Sequence, residues 1–388
     1  MSIIRRTILR GLVMKRTGLA LFFLSVCCVS VVWSQQPAGK CINDWSEFHR
    51  TNMMRSNPCE KVLGIDNVVN LKRKWRDMFD HLPLYSSPAV ANGVVYIGSQ
   101  DHNVYALNAN SGAKLWSYAA AAGVGSSPAV ANGMVYVGSY DDNVYALNAK
   151  TGALLWSYTT GNTVGSSPAV ANGVVYIGSQ DNNVYALNAK TGALLWAYTT
   201  RGDVESSPAV ANGVVYVGSY DDNVYALNAK TGALLWSYTT GSAVRSSPAV
   251  ANGVVYVDSY DGNLYALNAN SGAKLWSYAI GDPVVSAPAV ADGVVYVGEG
   301  SNLYALKAST GALLWSYADG GFSPAVANGV AYTCCGGPEN NTVYALNAHT
   351  GALLWSYALP AGVTSSPAVA NGVLYVTPIN RVIAFGLK

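Results

Sequence analysis

Beyond about residue 71, short apolar runs separated by turn residues recur about every 40 residues, a period that marks a propeller, a solenoid or an array. One unit, Ser206 to Thr240, contains four strand-like pieces. The first is Ser207-Pro208-Ala209-Val210. Asn212-Gly213 then predicts a two-residue hairpin, because both central turn positions favour positive φ. Val214 to Val217 is β-branched and aromatic, the polar turn Ser219 to Asp222 leads to Val224 to Leu227, and Asn228 to Gly232 turns the chain into Ala233 to Tyr238. Four short antiparallel strands per unit predict a propeller blade.

The phase of the units predicts how the ring closes. First strands begin at Ser87, Ser127, Ser167, Ser207, Ser247, Ala287, Ser323 and Ser366, which makes eight. Fourth-strand tryptophans also number eight: Trp75, Trp116, Trp156, Trp196, Trp236, Trp276, Trp315 and Trp355. The two series are offset by one strand, since Trp75 precedes the first unit and the last unit ends after Arg381 to Phe385. A ring can use the strand from Leu71 to Phe79 to complete its last blade and remove free edges. The expected fold class is therefore all-β: an eight-bladed β-propeller of four-stranded blades over residues 71–388, its last blade completed by the N-terminal Trp75 strand. Prolines such as Pro88, Pro208 and Pro367 fall in the first strand, where a missing N–H is tolerable only at an inner edge. The repeated tryptophans are expected to pack blade against blade.

The run Ala146 to Trp156 resembles the tryptophan-docking motif of the pyrroloquinoline quinone (PQQ)-type repeat, found in quinoprotein alcohol dehydrogenases and in non-enzymatic relatives. The resemblance covers all eight units. One departure is consistent: the motif's Asp is Asn here (Asn108, Asn148, Asn188, Asn228, Asn268, Asn347), and Lys307 in the sixth unit. Asn can still form the local side-chain turn.

Ahead of the ring, Arg5, Arg6, Arg10, Lys15 and Arg16 precede an apolar run from Leu19 to Trp33, which reads residues 1–34 as a signal peptide or an N-terminal membrane anchor. Residues 35–70 form a more polar lead-in segment, similar to that of secreted PQQ-like repeat proteins. It holds Cys41 and Cys59, expected to pair in an oxidising compartment, since neither a Cys-x-x-Cys nor a suitably spaced histidine pair suggests a metal. The chain is expected to be exported, secreted or periplasmic, with the membrane involved only through an uncleaved N-terminal segment.

Composition narrows the partners. Charged residues make up 11% of the chain, which fits blades buried on both faces by their neighbours. Residues 1–80 hold 13 Lys plus Arg and 6 Asp plus Glu, leaving 10 and 15 for residues 81–388, a balance of 10 − 15 = −5. A nucleic-acid partner is not expected.

Function is expected where the units differ. Charge in the connections between blades is confined to a few positions, Arg201, Asp203, Glu205, Arg245 and Asp282, and in the seventh unit the turn between second and third strands expands from Cys334 to Asn341, including Glu339. Both loops emerge on one face, the candidate binding face. The adjacent Cys334 and Cys335 are a second candidate disulfide. They also carry the enzymatic alternative, because in quinoprotein dehydrogenases a vicinal disulfide lies against PQQ, a calcium ion is held by carboxylate and amide oxygens, and an Asp serves as base. No stretch here matches the calcium or base motif. The turn aspartates Asp101, Asp141, Asp181, Asp221 and Asp261 suit tight hairpins better than a cation ring. The four histidines are dispersed, so neither a triad nor a metal cluster follows. The leading expectation is a monomeric, non-enzymatic propeller that binds a protein or cell-envelope polymer through one face and needs no cofactor. The alternative is a PQQ- and calcium-dependent alcohol or sugar dehydrogenase.

Overall fold

The computed structural model describes residues 41, 43–48, 50, 54–78, 85–281, 286–334, 341–363 and 365–388. The signal or anchor segment 1–34 and the residues Asp282, Cys335 and Glu339 lie outside them. Residues Ile42–Lys388 form one compact unit.

Eight sheets form the ring, each built on four antiparallel blade strands, which follow in simple sequential order in seven of them. In the third blade the strands are Ala169–Ala171, Val174–Gly178, Asn183–Asn188 and Leu194–Thr199. The Asn172-Gly173 hairpin has φ of 51° and 77°, as its two-residue turn requires. The eighth sheet combines Ala368–Ala370, Val373–Val376 and Arg381–Gly386 with Lys72–Met78, so the Trp75 strand completes the last blade. The prolines stand one residue outside the inner strands: pairing starts at Ala89, Ala209 and Ala368, after the residue that has no N–H to give.

Blades are tied to each other by a repeated device. The Trp156 indole donates to Ala189 O of the next blade (3.0 Å), and Tyr136 donates its hydroxyl to the same carbonyl (3.0 Å). Gly192, at φ 73°, brings its Cα so close under Trp156 that an added Cβ would lie 2.7 Å from the ring. The Asn188 side chain, standing where the motif has Asp, accepts from the backbone N–H of Lys190 (3.0 Å) and Thr191 (3.1 Å) and so shapes this turn. Trp75 repeats the arrangement across the ring closure, donating to Ala109 O at 2.8 Å.

Along the channel, a serine ladder joins inner strands. Ser87, Ser127, Ser167 and Ser207 each donate a backbone N–H to the hydroxyl of the next serine, at 2.9 to 3.0 Å. Ser366 N donates to Ser87 Oγ (3.0 Å), so this ladder also crosses the closure.

Inner edges of a propeller leave unpaired backbone groups. Here the lead-in runs across several of them. Trp45 exchanges two backbone hydrogen bonds with Val90, Ser46 O accepts from Val130 N (2.7 Å), Met54 O accepts from Val290 N (2.8 Å), and Ser56–Asn57 pairs in parallel with Val326–Ala327. The segment therefore belongs to the inner wall of the ring at one end.

Candidate binding face at the channel mouth

Because the strands alternate in direction, the inter-blade connections and the turns between second and third strands share one face, here the loop face. The Asn-Gly hairpins and the Asn-x-x-x-Gly turns share the other, the hairpin face. At the loop-face mouth of the channel lies a cavity of about 360 Å³, lined by Tyr85, Gly125, Tyr140, Gly165, Gln180, Glu205 and Arg245. Equivalent positions of five successive connections contribute Tyr85, Gly125, Gly165, Glu205 and Arg245. The small residues open space that the larger ones fill: a Cβ at Gly125 would collide with the Tyr140 hydroxyl.

Glu205 organises the site. Its Oε2 lies 2.6 Å from Arg245 Nε and accepts from the Tyr220 hydroxyl at 3.0 Å, while Oε1 accepts from Gln180 Nε2 at 2.6 Å. Arg245 Nη1 donates to the Tyr260 hydroxyl (3.2 Å), and the Tyr220 and Tyr260 rings meet edge-on with centroids 6.4 Å apart. Burial works against the Arg245 charge, but the Tyr260 hydrogen bond and the Glu205 carboxylate outweigh it and hold the guanidinium charged. Burial and Glu205 together push the Tyr220 phenol up, which keeps it a hydrogen-bond donor. The Arg245 side chain remains 47% exposed, so it presents a fixed, partly open cation to solvent.

Of the sequence candidates, the structure brings Glu205 and Arg245 together. The Arg201 backbone N–H donates to Asp221 Oδ2 (2.8 Å) and Asp203 O accepts from Tyr220 N (2.9 Å), but their side chains take no part in this network. Cys334 ends the second strand of the seventh blade with its side chain buried in the core. Cys41 and Cys59 are each disulfide-bonded.

The turn aspartates serve their hairpins. Asp221 Oδ1 accepts from Asn223 N (3.1 Å), and Oδ2 accepts from the Tyr225 hydroxyl (2.6 Å). Burial would raise the Asp221 pKa, but these hydrogen bonds outweigh it and hold the carboxyl below its ordinary range. Asp141 and Asp261 behave alike.

Three residues carry chemistry that sequence reading missed. Asp258 ends the second strand of the fifth blade, where other blades have Gly98, Gly138, Gly178, Gly218 and Gly298. It is fully buried, and burial raises its pKa well above the ordinary value. The Ser246 and Ser286 hydroxyls lie beside it and oppose that rise, but neither completes a hydrogen bond of ordinary geometry. Aligning the repeats exposes this substitution. Glu47 and Arg55 lie in the lead-in, and no repeat pattern marks them. Burial pushes Glu47 up to about 8, against the hydrogen bond its Oε2 accepts from Val170 N (3.1 Å). Arg55 donates to Pro324 O (3.0 Å) and Phe48 O (2.8 Å) and stacks 4.6 Å from the Phe48 ring centroid.

Tryptophan-docked blades, a Gly turn beneath each docked ring and closure by the N-terminal strand define a PQQ-repeat propeller. The chain belongs to that family: the model described as outer membrane protein assembly factor BamB matches residues 31–167, 159–250, 241–331 and 318–386. Among solved structures, BamB from Moraxella catarrhalis is similar at a TM-score of 0.70 and 20% identity, covering 82% of this chain and 98% of that one. A europium-containing methanol dehydrogenase is similar at a TM-score of 0.77 and 14% identity, covering 89% of this chain and 98% of that one. A quinohemoprotein alcohol dehydrogenase from Comamonas testosteroni gives a TM-score of 0.76 and 16% identity, covering 89% of this chain and 80% of that one. At these identities the likeness is one of fold. No curated protein matches the chain in sequence.

The fold family includes cofactor-dependent enzymes, so the mouth must be tested against a quinone and calcium site. Calcium takes six to eight oxygen ligands, usually several carboxylates. The cavity offers one carboxylate, Glu205, and both its oxygens are engaged by Gln180, Tyr220 and Arg245. Among the described residues, no group of three or more His, Cys, Asp or Glu side chains is placed to hold a metal. The residues present do not fit that site.

Proposed function

We propose that this protein is an exported, non-enzymatic propeller that binds a protein or cell-envelope polymer at the loop face, with the Glu205–Arg245 mouth as its recognition centre. The observation that carries this reading is the network itself: the blades, otherwise near-copies, differ here, and the difference is a preorganised Arg framed by tyrosines. Tyr and Arg anchors in a recessed site are the side chains that most often dominate protein interfaces. Family membership beside an outer membrane protein assembly factor supports an envelope location and a protein partner. On this reading residues 1–34 direct export or anchor the chain, Cys41 pairs with Cys59, the propeller of residues 71–388 acts as a monomer, and Arg201, Asp203, Asp282 and Glu339 extend the binding face around the mouth.

Photo-crosslinking in the native envelope tests the reading. A crosslinker placed at Tyr85 or Arg201 should capture one specific partner, and Arg245→Glu should abolish that capture. Capture that is unaffected by Arg245→Glu would remove the mouth from the proposal. Adding PQQ and Ca²⁺ to the purified chain tests the alternative: bound quinone absorbance with alcohol- or sugar-dependent dye reduction would overturn the non-enzymatic reading and assign Cys334 and Cys335 a role beside the quinone.

A further inference from the structure

The exposed apolar side chains are not scattered. Among the described residues sixteen large hydrophobic side chains are exposed, and eleven of them are leucines at the start of the outermost strands, from Leu115 through Leu154-Leu155, Leu194-Leu195 and Leu234-Leu235 to Leu353. Val62, Ile65 and Val69 of the lead-in are three more. Only Tyr85 and Tyr140 remain, and they line the channel mouth on the loop face. The leucines stand two or three residues after the Gly of the Asn-x-x-x-Gly and Lys-x-x-x-Gly turns, and Val62 and Ile65 pack beside the hairpin glycines Gly372 and Gly329. All fourteen therefore lie at the hairpin-face end of the ring.

A repeated irregularity presents them. In the third blade Ala186 pairs with Trp196 but Leu187 pairs with Leu194, so Leu195 is an extra residue in the outermost strand, and the same register shift recurs in the other blades with two such paired strands. A bulge breaks the strict alternation that would send successive side chains to opposite faces. Leu194 and Leu195 are 47% and 50% exposed as a result. Because the leucines occupy equivalent positions around a pseudo-symmetric ring, they lie near one plane normal to the ring axis.

Basic side chains gather beside the leucines. The turns beside the leucines carry the exposed Lys150, Lys190 and Lys230, and the closing strand puts Arg73 and Lys74, preceded by Lys72, where other blades have the leucine pair. The loop face carries the turn aspartates instead. Asp44 of the lead-in also lies on the hairpin face, where it accepts from the backbone N–H of Asn92 and the side chain of Asn371.

We propose that the hairpin face docks on an anionic lipid surface, with the leucine belt at the headgroup boundary and the lysines against the lipid phosphates. A flat bilayer can touch a planar belt over much of its circumference, whereas a globular partner meets one arc of it. A second copy stacked face to face would set lysine against lysine. Apolar side chains interleaved with Lys are the pattern of interfacial membrane binding. Docked in this way, the ring holds its loop face and the Glu205–Arg245 mouth away from the membrane. The inference does not depend on what that mouth binds.

Hydrogen–deuterium exchange on the full chain bound to phosphatidylglycerol–phosphatidylethanolamine vesicles tests the proposal, because its readout is local whatever the N-terminal segment does. Amides of Leu154–Thr159, Leu194–Thr199 and Leu234–Thr239 should exchange several-fold more slowly on the vesicles than in solution, while the loop-face turns stay unchanged. Combined Lys150→Glu, Lys190→Glu and Lys230→Glu, all exposed turn positions that leave the core intact, should remove that protection, as should phosphatidylcholine vesicles. Vesicle-bound protein with unchanged exchange in these strands would overturn the proposal. So would protection that survives the charge reversal, or protection that rises with protein concentration in the absence of lipid, which would assign the belt to a second copy.

Discussion

Seven of the eight seams between blades are built alike, and the eighth is not. At each of the seven, a tryptophan indole and a tyrosine hydroxyl converge on one alanine carbonyl of the next blade, as Trp196 and Tyr176 do on Ala229, over the Gly of an Asn-x-x-x-Gly or Lys-x-x-x-Gly turn. Between the seventh and eighth blades that turn does not exist, because the third and fourth strands of the last blade come from opposite ends of the chain. Trp355 instead packs edge-on against Phe385 with centroids 5.2 Å apart, and the Tyr332 hydroxyl is buried without a hydrogen-bond partner among the described residues. The 3₁₀ turn Val68–Asn70, which feeds the closing strand, packs against the outermost strand of the seventh blade. The contrast teaches that covalent continuity of the turn creates the polar docking site. Where the chain ends meet, apolar packing replaces it.

The largest effect is expected where closure and docking coincide. Trp75→Ala removes a buried ring that both holds the terminal strand and docks on the first blade, and should lower stability by about 3 to 5 kcal/mol, read as a shift of the urea midpoint. A loss no greater than that of a surface substitution would show that the ring stays closed without it.

Next in size is the pH response of the lead-in that carries this strand. With Glu47 at about 8 in the folded chain and about 4.5 unfolded, the folded state holds a proton that the unfolded state has released throughout that window. Stability should therefore fall as pH rises from about 4.5 to about 8 and level off above it. Asp258, raised in the same sense, adds to the slope. Glu47→Gln should flatten the response in urea titrations at several pH values; an unchanged slope would exclude Glu47 as its source.

A regular seam can be strained selectively. Gly232→Ala places a side chain at φ 71° and 2.8 Å from the Trp196 ring, and should cost about 1 to 3 kcal/mol with no counterpart at the eighth seam. The smallest effects discriminate best. Tyr216→Phe loses the hydrogen bond to Ala269 O and should cost about 1 kcal/mol, whereas Tyr332→Phe deletes a buried unpaired hydroxyl and should be neutral or stabilising. Equal costs for the two would mean the eighth seam is docked like the others.

Much of this was legible in the residues. Asn212-Gly213 and its copies gave the hairpins, and the one-strand offset between Trp75 and Arg381 to Phe385 gave the closure, because each depends on local turn chemistry or on counting. The prolines were misplaced by one residue, since strand pairing begins only where an N–H is available. The site was less legible. Glu205 and Arg245 stood out among the few charged positions of the connections, but 40 residues separate them, and only the blade-to-blade step puts their side chains 2.6 Å apart. Gln180, Tyr220 and Tyr260 sit in turns that looked like scaffold, and Asp258 hid among the strand-ending positions.

The repeat, then, determined by itself the strands, their number, the docking of the seven tryptophans that face a continuous turn and the sealing of the ring, because these follow from periodicity and short-range backbone preference. Only the tertiary structure decided which loop charges meet at the channel mouth, how the lead-in satisfies the inner edges, and that the exposed leucines and turn lysines collect at one end while the turn aspartates and the Tyr220–Tyr260 pair stand at the other. Those features depend on which residues of different blades become neighbours. A linear pattern of near-identical units specifies each unit's shape, but the ring geometry sets the plane, the distance and the solvent exposure at which their differences act.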